Sequence, residues 1–167
     1  MDRKVLVAYG STNGSTAEIA GRVGEVLAGR GLDVEVRAAS EVTDVAGYDA
    51  VVLGGGLYAG RWQRDARRFA RRNRTALAAR PVWLFSSGPL DPSASERDIP
   101  AAPGVQRVAD RIGSRGHITF GGRLEGEVEG RLARMIVNSG KGGDYRDFDR
   151  ISAWAAGVAR ELTVPAE

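Results

Sequence analysis

The stretch VLVAYGSTNGSTAEIA, residues 5–20, joins a short apolar run to a helical pattern through a turn crowded with hydroxyls and glycines. VLVA is β-branched and apolar on both faces, the pattern of a strand buried between two layers. Beyond the turn, Ile19, Ala20, Val23, Val26 and Leu27 recur at helical spacing until GRG at 29–31 stops them. A strand that runs straight into a helix is the opening unit of a parallel α/β sheet.

The same alternation continues along the chain. Apolar runs AVVLGGG (50–56), PVWLFSS (81–87) and HITFGG (117–122) predict three more buried strands. DVEVRAA (33–39) alternates instead, with Val34 and Val36 on one side and Glu35 and Arg37 on the other. Alternation suits a strand at the sheet edge. Helical stripes are predicted through Trp62, Ala66, Phe69, Ala70 and Leu77, and through Val105, Val108, Ala109 and Ile112 between Pro103 and Gly113. Further stripes fall at 127–137 and at Ile151, Trp154, Ala155, Val158 and Leu162, the last with Asp147 or Asp149 to cap it. Residues 86–104 read as one long irregular segment, and a loop of that length is usually functional.

Five strands joined by helices, the second alone alternating, fit a doubly wound parallel sheet of order 2-1-3-4-5 with helices on both faces, as one domain over 1–167. In such a sheet ligands bind beyond the carboxyl ends of the strands, where the winding reverses. GSTNGST, GGGLYAGRW and SSGPLDP stand at the ends of strands 1, 3 and 4. The first loop meets a helix N-terminus, where backbone N–H groups and hydroxyls can cradle a phosphate. It lacks the lysine of a nucleoside triphosphate loop and the glycine spacing of a dinucleotide fingerprint. An ordinary strand–helix turn capped by Ser15 or Thr16 would read the same way.

YGSTNGST resembles the FMN phosphate loop of flavodoxins, and the resemblance extends over the whole chain. It implies that Ser11, Thr12, Asn13, Gly14, Ser15 and Thr16 hold the phosphate. The strand-3 loop, Gly56, Leu57, Tyr58, Ala59, Gly60 and Trp62, is similar to the one that packs an aromatic ring, here Tyr58 or Trp62, on the flavin. Ser87, Gly88, Pro89 and Leu90 would flank the other side of the ring. SSGP and the tail RMIVNSGKGGDYRDFDRISAWA (134–155) resemble the flavodoxin-domain branch that includes menaquinone-dependent protoporphyrinogen dehydrogenase. A phosphoacceptor receiver domain shares this fold, but Gly54–Gly56 and GSTN stand where it needs acids.

Charge then bears on partners. The net charge is +3, the isoelectric point near 9.7, and lysine occurs only at 4 and 141. Residues 61–80 hold eight arginines against Asp65, with Arg64, Arg67, Arg68, Arg71 and Arg72 expected on a solvent face. Electron-carrying flavodoxins are acidic as a family, so this sign favours an FMN-dependent oxidoreductase that meets its substrate directly. The resemblance to the protoporphyrinogen dehydrogenase branch implies an anionic substrate of the protoporphyrinogen kind and a quinone as electron acceptor. The alternative is an electron carrier for a redox partner protein. Arg61 and Arg123 are the expected substrate contacts, by the affinity of guanidinium for carboxylate. No catalytic acid or base stands out, and Trp83 and the lone His117 read as structural. With no cysteine there is no disulfide, thiolate metal site or thiol redox chemistry. No recognition pattern for nucleic acid accompanies the arginines. The expected location is cytoplasmic, with the inner membrane surface as a peripheral docking place for the basic face.

Overall fold

A computed structural model describes residues 3–11, 14–58, 60–88, 93–124, 143–144 and 146–163, without the side chains of 123–124 and 143–144. Its strands are β1 (Lys4–Gly10), β2 (Asp33–Ala38), β3 (Ala50–Tyr58), β4 (Arg61–Trp62), β5 (Val82–Ser87), β6 (Gly116–Phe120), β7 (Arg123–Leu124) and β8 (Gly143–Asp144). The helices are α1 (Ser15–Gly29), α2 (Arg64–Arg72), α3 (Arg74–Ala78), α4 (Ser93–Glu96), α5 (Pro103–Ile112) and α6 (Phe148–Thr163). The parallel sheet runs β2-β1-β3-β5-β6, the expected 2-1-3-4-5 order of the five long strands. Two features exceed that expectation: β4 folds back antiparallel on β3, and β7 pairs antiparallel with β8.

Burial on both faces explains why the central residues of β1, β3 and β5 are apolar on both sides. Val5 and Val7, Ala50 and Val52, and Trp83 and Phe85 face a core closed by α1 and α6. Leu6 and Ala8, Val51 and Leu53, and Val82 and Leu84 face the opposite core under α2, α3 and α5. Each fully buried Val, Leu or Phe contributes about 1.5–3 kcal/mol over an exposed one, far more than strand propensity. The edge strand β2 is partly wet, and Val36 is 39 % exposed.

Helix boundaries follow local chemistry. Ile19, Val23 and Leu27 form the buried stripe of α1, which ends where Gly31 turns at φ 90°. The stripe expected to run as one helix from Trp62 to Leu77 is three elements instead. Trp62 lies in β4, Gln63 caps α2 by accepting from the backbone N–H of Asp65 and Ala66, and Asn73 breaks the helix before α3. The buried Asn73 amide donates to the Phe69 carbonyl at 3.1 Å, a bond that competes with helix continuation. Residues 86–104 are likewise not one loop: Ser86 and Ser87 end β5, α4 forms a turn, and Pro103 opens α5. The cap of α6 is Asp147, whose Oδ1 accepts from the Arg150 backbone N–H at 3.1 Å. The stripe expected at 127–137 lies outside the described residues.

At the end of β3, three glycines leave room for other side chains. A Cβ on Gly54 would stand 1.9 Å from Phe85 Cζ, and one on Gly55 would stand 2.9 Å from the Trp62 ring. Neither position has space for a side chain.

Candidate functional site

The ends of β1, β3 and β5 come together at one edge of the sheet, since β3 pairs with β1 as far as Gly55 and with β5 as far as Gly56. This is the place where the winding reverses, and it gathers the three loops singled out in the sequence.

Gly14 holds the N-cap position of α1 in the left-handed region, at φ 85°, and among the described residues no side chain caps the helix. A turn capped by Ser15 or Thr16 is therefore not what forms. Ser11 Oγ accepts from the Gly14 backbone N–H at 2.9 Å. Ser15 and Thr16 are buried, and Thr16 Oγ1 has no hydrogen-bond partner among the described residues. A buried hydroxyl without a partner costs about 1–3 kcal/mol. Uncapped N–H groups, the positive end of a 15-residue helix and an orphaned hydroxyl together suit an anion. Thr12 and Asn13 lie outside the described residues.

Beside this cradle the β3 glycines bring the backbone close. A Cβ on Gly56 would meet Thr16 Oγ1 at 3.1 Å and the Tyr58 ring at 3.1 Å, so both side chains border the same space. Tyr58 is 41 % exposed and offers an open aromatic face; Trp62 is 2 % exposed and buried in the core. Trp62 Nε1 donates to Ser86 Oγ at 2.9 Å, which fixes the hairpin to the end of β5. Of the two rings proposed from sequence for the flavin, only Tyr58 is at the surface. Leu57 packs on Gly88, where a Cβ would come 2.8 Å from Leu57 Cδ1. The Gly88 backbone N–H donates to the Phe120 carbonyl at 3.1 Å, holding the start of the β5 loop beside β6. Ser87 is buried, Gly60 makes the β3–β4 turn at φ 76°, and Ala59, Pro89 and Leu90 lie outside the described residues. Arg61 is exposed at the rim in β4; Arg123 begins β7, where only the backbone is described.

Two residues acquire roles that the sequence did not signal. Arg146 is almost buried, pairs with Glu18 at 3.1 Å and donates to the Ser15 carbonyl at 3.3 Å, which puts a guanidinium one turn inside α1. The phosphate loop, which carries no Lys or Arg of its own, thus has a cation nearby. His117 lies closer to the site than its place in the chain suggests: its Nε2 is 2.9 Å from Ser86 Oγ, and burial pushes its pKa down to about 4. Trp83 is core, as expected, with its Nε1 donating to Glu161 at 3.0 Å.

Residues 6–146 match the family described as a flavodoxin domain. Among solved structures, a flavodoxin from the domain Archaea is 14 % identical, with 96 % of this chain and 99 % of that one aligned and a TM-score of 0.63. Oxidised flavodoxin 1 from Bacillus cereus is 15 % identical over 96 % and 99 % of the two chains, with a TM-score of 0.62. Rubredoxin oxygen:oxidoreductase from Desulfovibrio gigas is 12 % identical with a TM-score of 0.63, over 95 % of this chain and 36 % of that one. At these identities the structural likeness establishes the fold, which is flavodoxin-like. The family match covers most of the chain, and an uncapped helix N-terminus with an orphaned Thr16 hydroxyl fits the phosphate of the family's cofactor, FMN. The chain belongs to the flavodoxin-domain family.

Proposed function

We propose that this chain binds FMN at the ends of β1, β3 and β5 and acts as an oxidoreductase on an anionic small molecule, with a quinone as electron acceptor. The orphaned, buried hydroxyl of Thr16 carries the cofactor assignment. Ser11, Thr12, Asn13, Gly14, Ser15 and Thr16 hold the phosphate, and Tyr58 covers one ring face. The backbone of Gly56, Leu57, Ala59 and Gly60 lines one side, and that of Ser87, Gly88, Pro89 and Leu90 the other. Bound FMN supplies two-electron chemistry, taking a hydride equivalent from one molecule and yielding two electrons and a proton to another.

The protein's own share is position and charge. The β3–β4 hairpin fixes Tyr58 by anchoring Trp62 in the core, and Arg61 stands exposed beside it. Arg61 and Arg123 orient carboxylates of the substrate, and a dicarboxylate of the protoporphyrinogen kind suits them. A second reading, an electron carrier for a partner protein, is favoured by overlap with 99 % of the length of the flavodoxins from Archaea and Bacillus cereus.

A visible spectrum of the purified protein, with the released cofactor identified by mass, tests the first claim. About one FMN per chain is expected, and a colourless protein that takes up no added FMN overturns it. Turnover of protoporphyrinogen with a quinone, and no other protein present, separates the enzyme from the carrier. Turnover only when a partner reductase is supplied moves the assignment to the carrier.

A further inference from the structure

A second concave site lies on the α2–α5 side of the sheet. It is a cleft of about 670 Å³ between β4, α2, α3 and α5. Six arginines line it: Arg61 from β4, Arg67 and Arg71 from α2, Arg74 from α3, and Arg107 and Arg111 from α5. Among the described residues that line it there is no Asp or Glu. None of the six guanidinium groups has an ion-pair or hydrogen-bond partner among the described residues. Trp62, Val105 and Ile112, all nearly buried, give the floor an apolar surface.

The arrangement is unfavourable for a protein with nothing bound there. Arg67 and Arg71 are four apart on one helix, Arg107 and Arg111 four apart on another, and like charges at that spacing destabilise a helix. The two pairs line one cleft, where their fields add. The N-terminus of α5 adds positive potential: Pro103 and Gly104 line the cleft, and no side chain caps this ten-residue helix. A solvated helix face explains Arg64 and Arg68, which do not line the cleft, but not arginines from four elements around a shared apolar floor.

We propose that this cleft binds a soluble amphipathic polyanion, a small apolar body carrying two or more phosphate or carboxylate groups. The volume falls in the range of about 300–1,000 Å³ usual for small-molecule pockets. Paired arginines on facing helices match two separated anionic groups, and guanidinium forks bind either kind of oxyanion in two-point contacts. The site does not rest on the flavin reading, because the five arginines other than Arg61 lie outside the loops assigned to FMN.

The probe is bis-ANS, an apolar body with two sulfonates, titrated calorimetrically into the protein with saturating FMN present. Saturable binding near one per chain is expected, with competition by inorganic pyrophosphate. Arg107→Gln/Arg111→Gln should weaken binding by about 10-fold or more. The control Arg30→Gln/Arg160→Gln removes the same charge from the residue after α1 and from α6 and should leave binding within about 2-fold. Glutamine keeps helix propensity, and Val108→Trp, which fills the cleft without changing charge, should also block the probe. Equal weakening in both double variants overturns the proposal, as does failure of the probe to bind when FMN is saturating. Capture by phosphatidylglycerol vesicles without saturable binding of the soluble probe also overturns it, in favour of a lipid surface. Loss of FMN binding with the probe site intact would sink the flavin reading alone.

Discussion

Trp62 Nε1 donates to Ser86 Oγ at 2.9 Å, tying the β3–β4 hairpin to the end of β5 across the floor of the site. The same oxygen lies 2.9 Å from His117 Nε2, so one hydroxyl serves two ring nitrogens. With the imidazole neutral, Ser86 accepts from Trp62 and donates to His117, and the chain is satisfied. Ser86→Ala leaves the buried indole N–H without a partner and should cost about 1–3 kcal/mol. Trp62→Phe in the same background should recover part of that loss, read as a midpoint shift in chemical denaturation. Additive losses would show that the bond contributes little.

The His117 pKa gives that network a pH dependence. In the unfolded chain the ring takes its proton near pH 6.5, but in the fold burial delays protonation to about 4. The contribution is therefore complete above about 6.5, lost as pH falls from there to about 4, and level below. The expected slope is about 1 kcal/mol per pH unit, reduced from the full value because the ring is partly exposed. His117→Gln should flatten the slope between pH 6.5 and 4, measured by denaturation at several pH values. An unchanged slope would place the acid sensitivity elsewhere.

Thr16 separates binding from stability. Its hydroxyl has no partner among the described residues, so Thr16→Val should leave the flavin-free protein as stable or more stable, by up to about 1 kcal/mol. The same change should weaken FMN about 10-fold, because one phosphate hydrogen bond is gone. Destabilisation of the flavin-free variant would mean that the hydroxyl is structural.

Tyr58 is exposed and bears little of the core, so Tyr58→Ala should move the thermal midpoint by no more than about 2 °C. FMN affinity should fall about 3- to 10-fold with the loss of an aromatic stack. Calorimetric titration of the two proteins reads the difference.

The strands, their order and the strand-end loops were legible from residues 5–20 and the other apolar runs, because a strand buried on both faces has no polar side to hide. Trp62 was not: it precedes Ala66, Phe69 and Ala70 at helical spacing, and only Gly60 in its left-handed turn hints that the chain doubles back first. The buried position of Arg146 depends on a distant segment docking against α1, a contact no local pattern encodes. The arginine cleft was half visible. The run at 61–80 drew the eye, whereas Arg107 and Arg111 look ordinary until the fold sets α5 against α3 and β4.

At the end of β3 the chain leaves its own surface bare and is roofed by rings from its neighbours, Phe85 over Gly54 on one side and Trp62 over Gly55 on the other. Such a pair of positions is constrained together. Gly54→Ala alone drives a methyl into Phe85, and Phe85→Ala alone leaves a void of aromatic size, each costing about 3 kcal/mol or more. Descendants of this sequence can therefore leave the Gly54–Phe85 combination only by changing both residues, and across divergent lineages the two positions should drift as one.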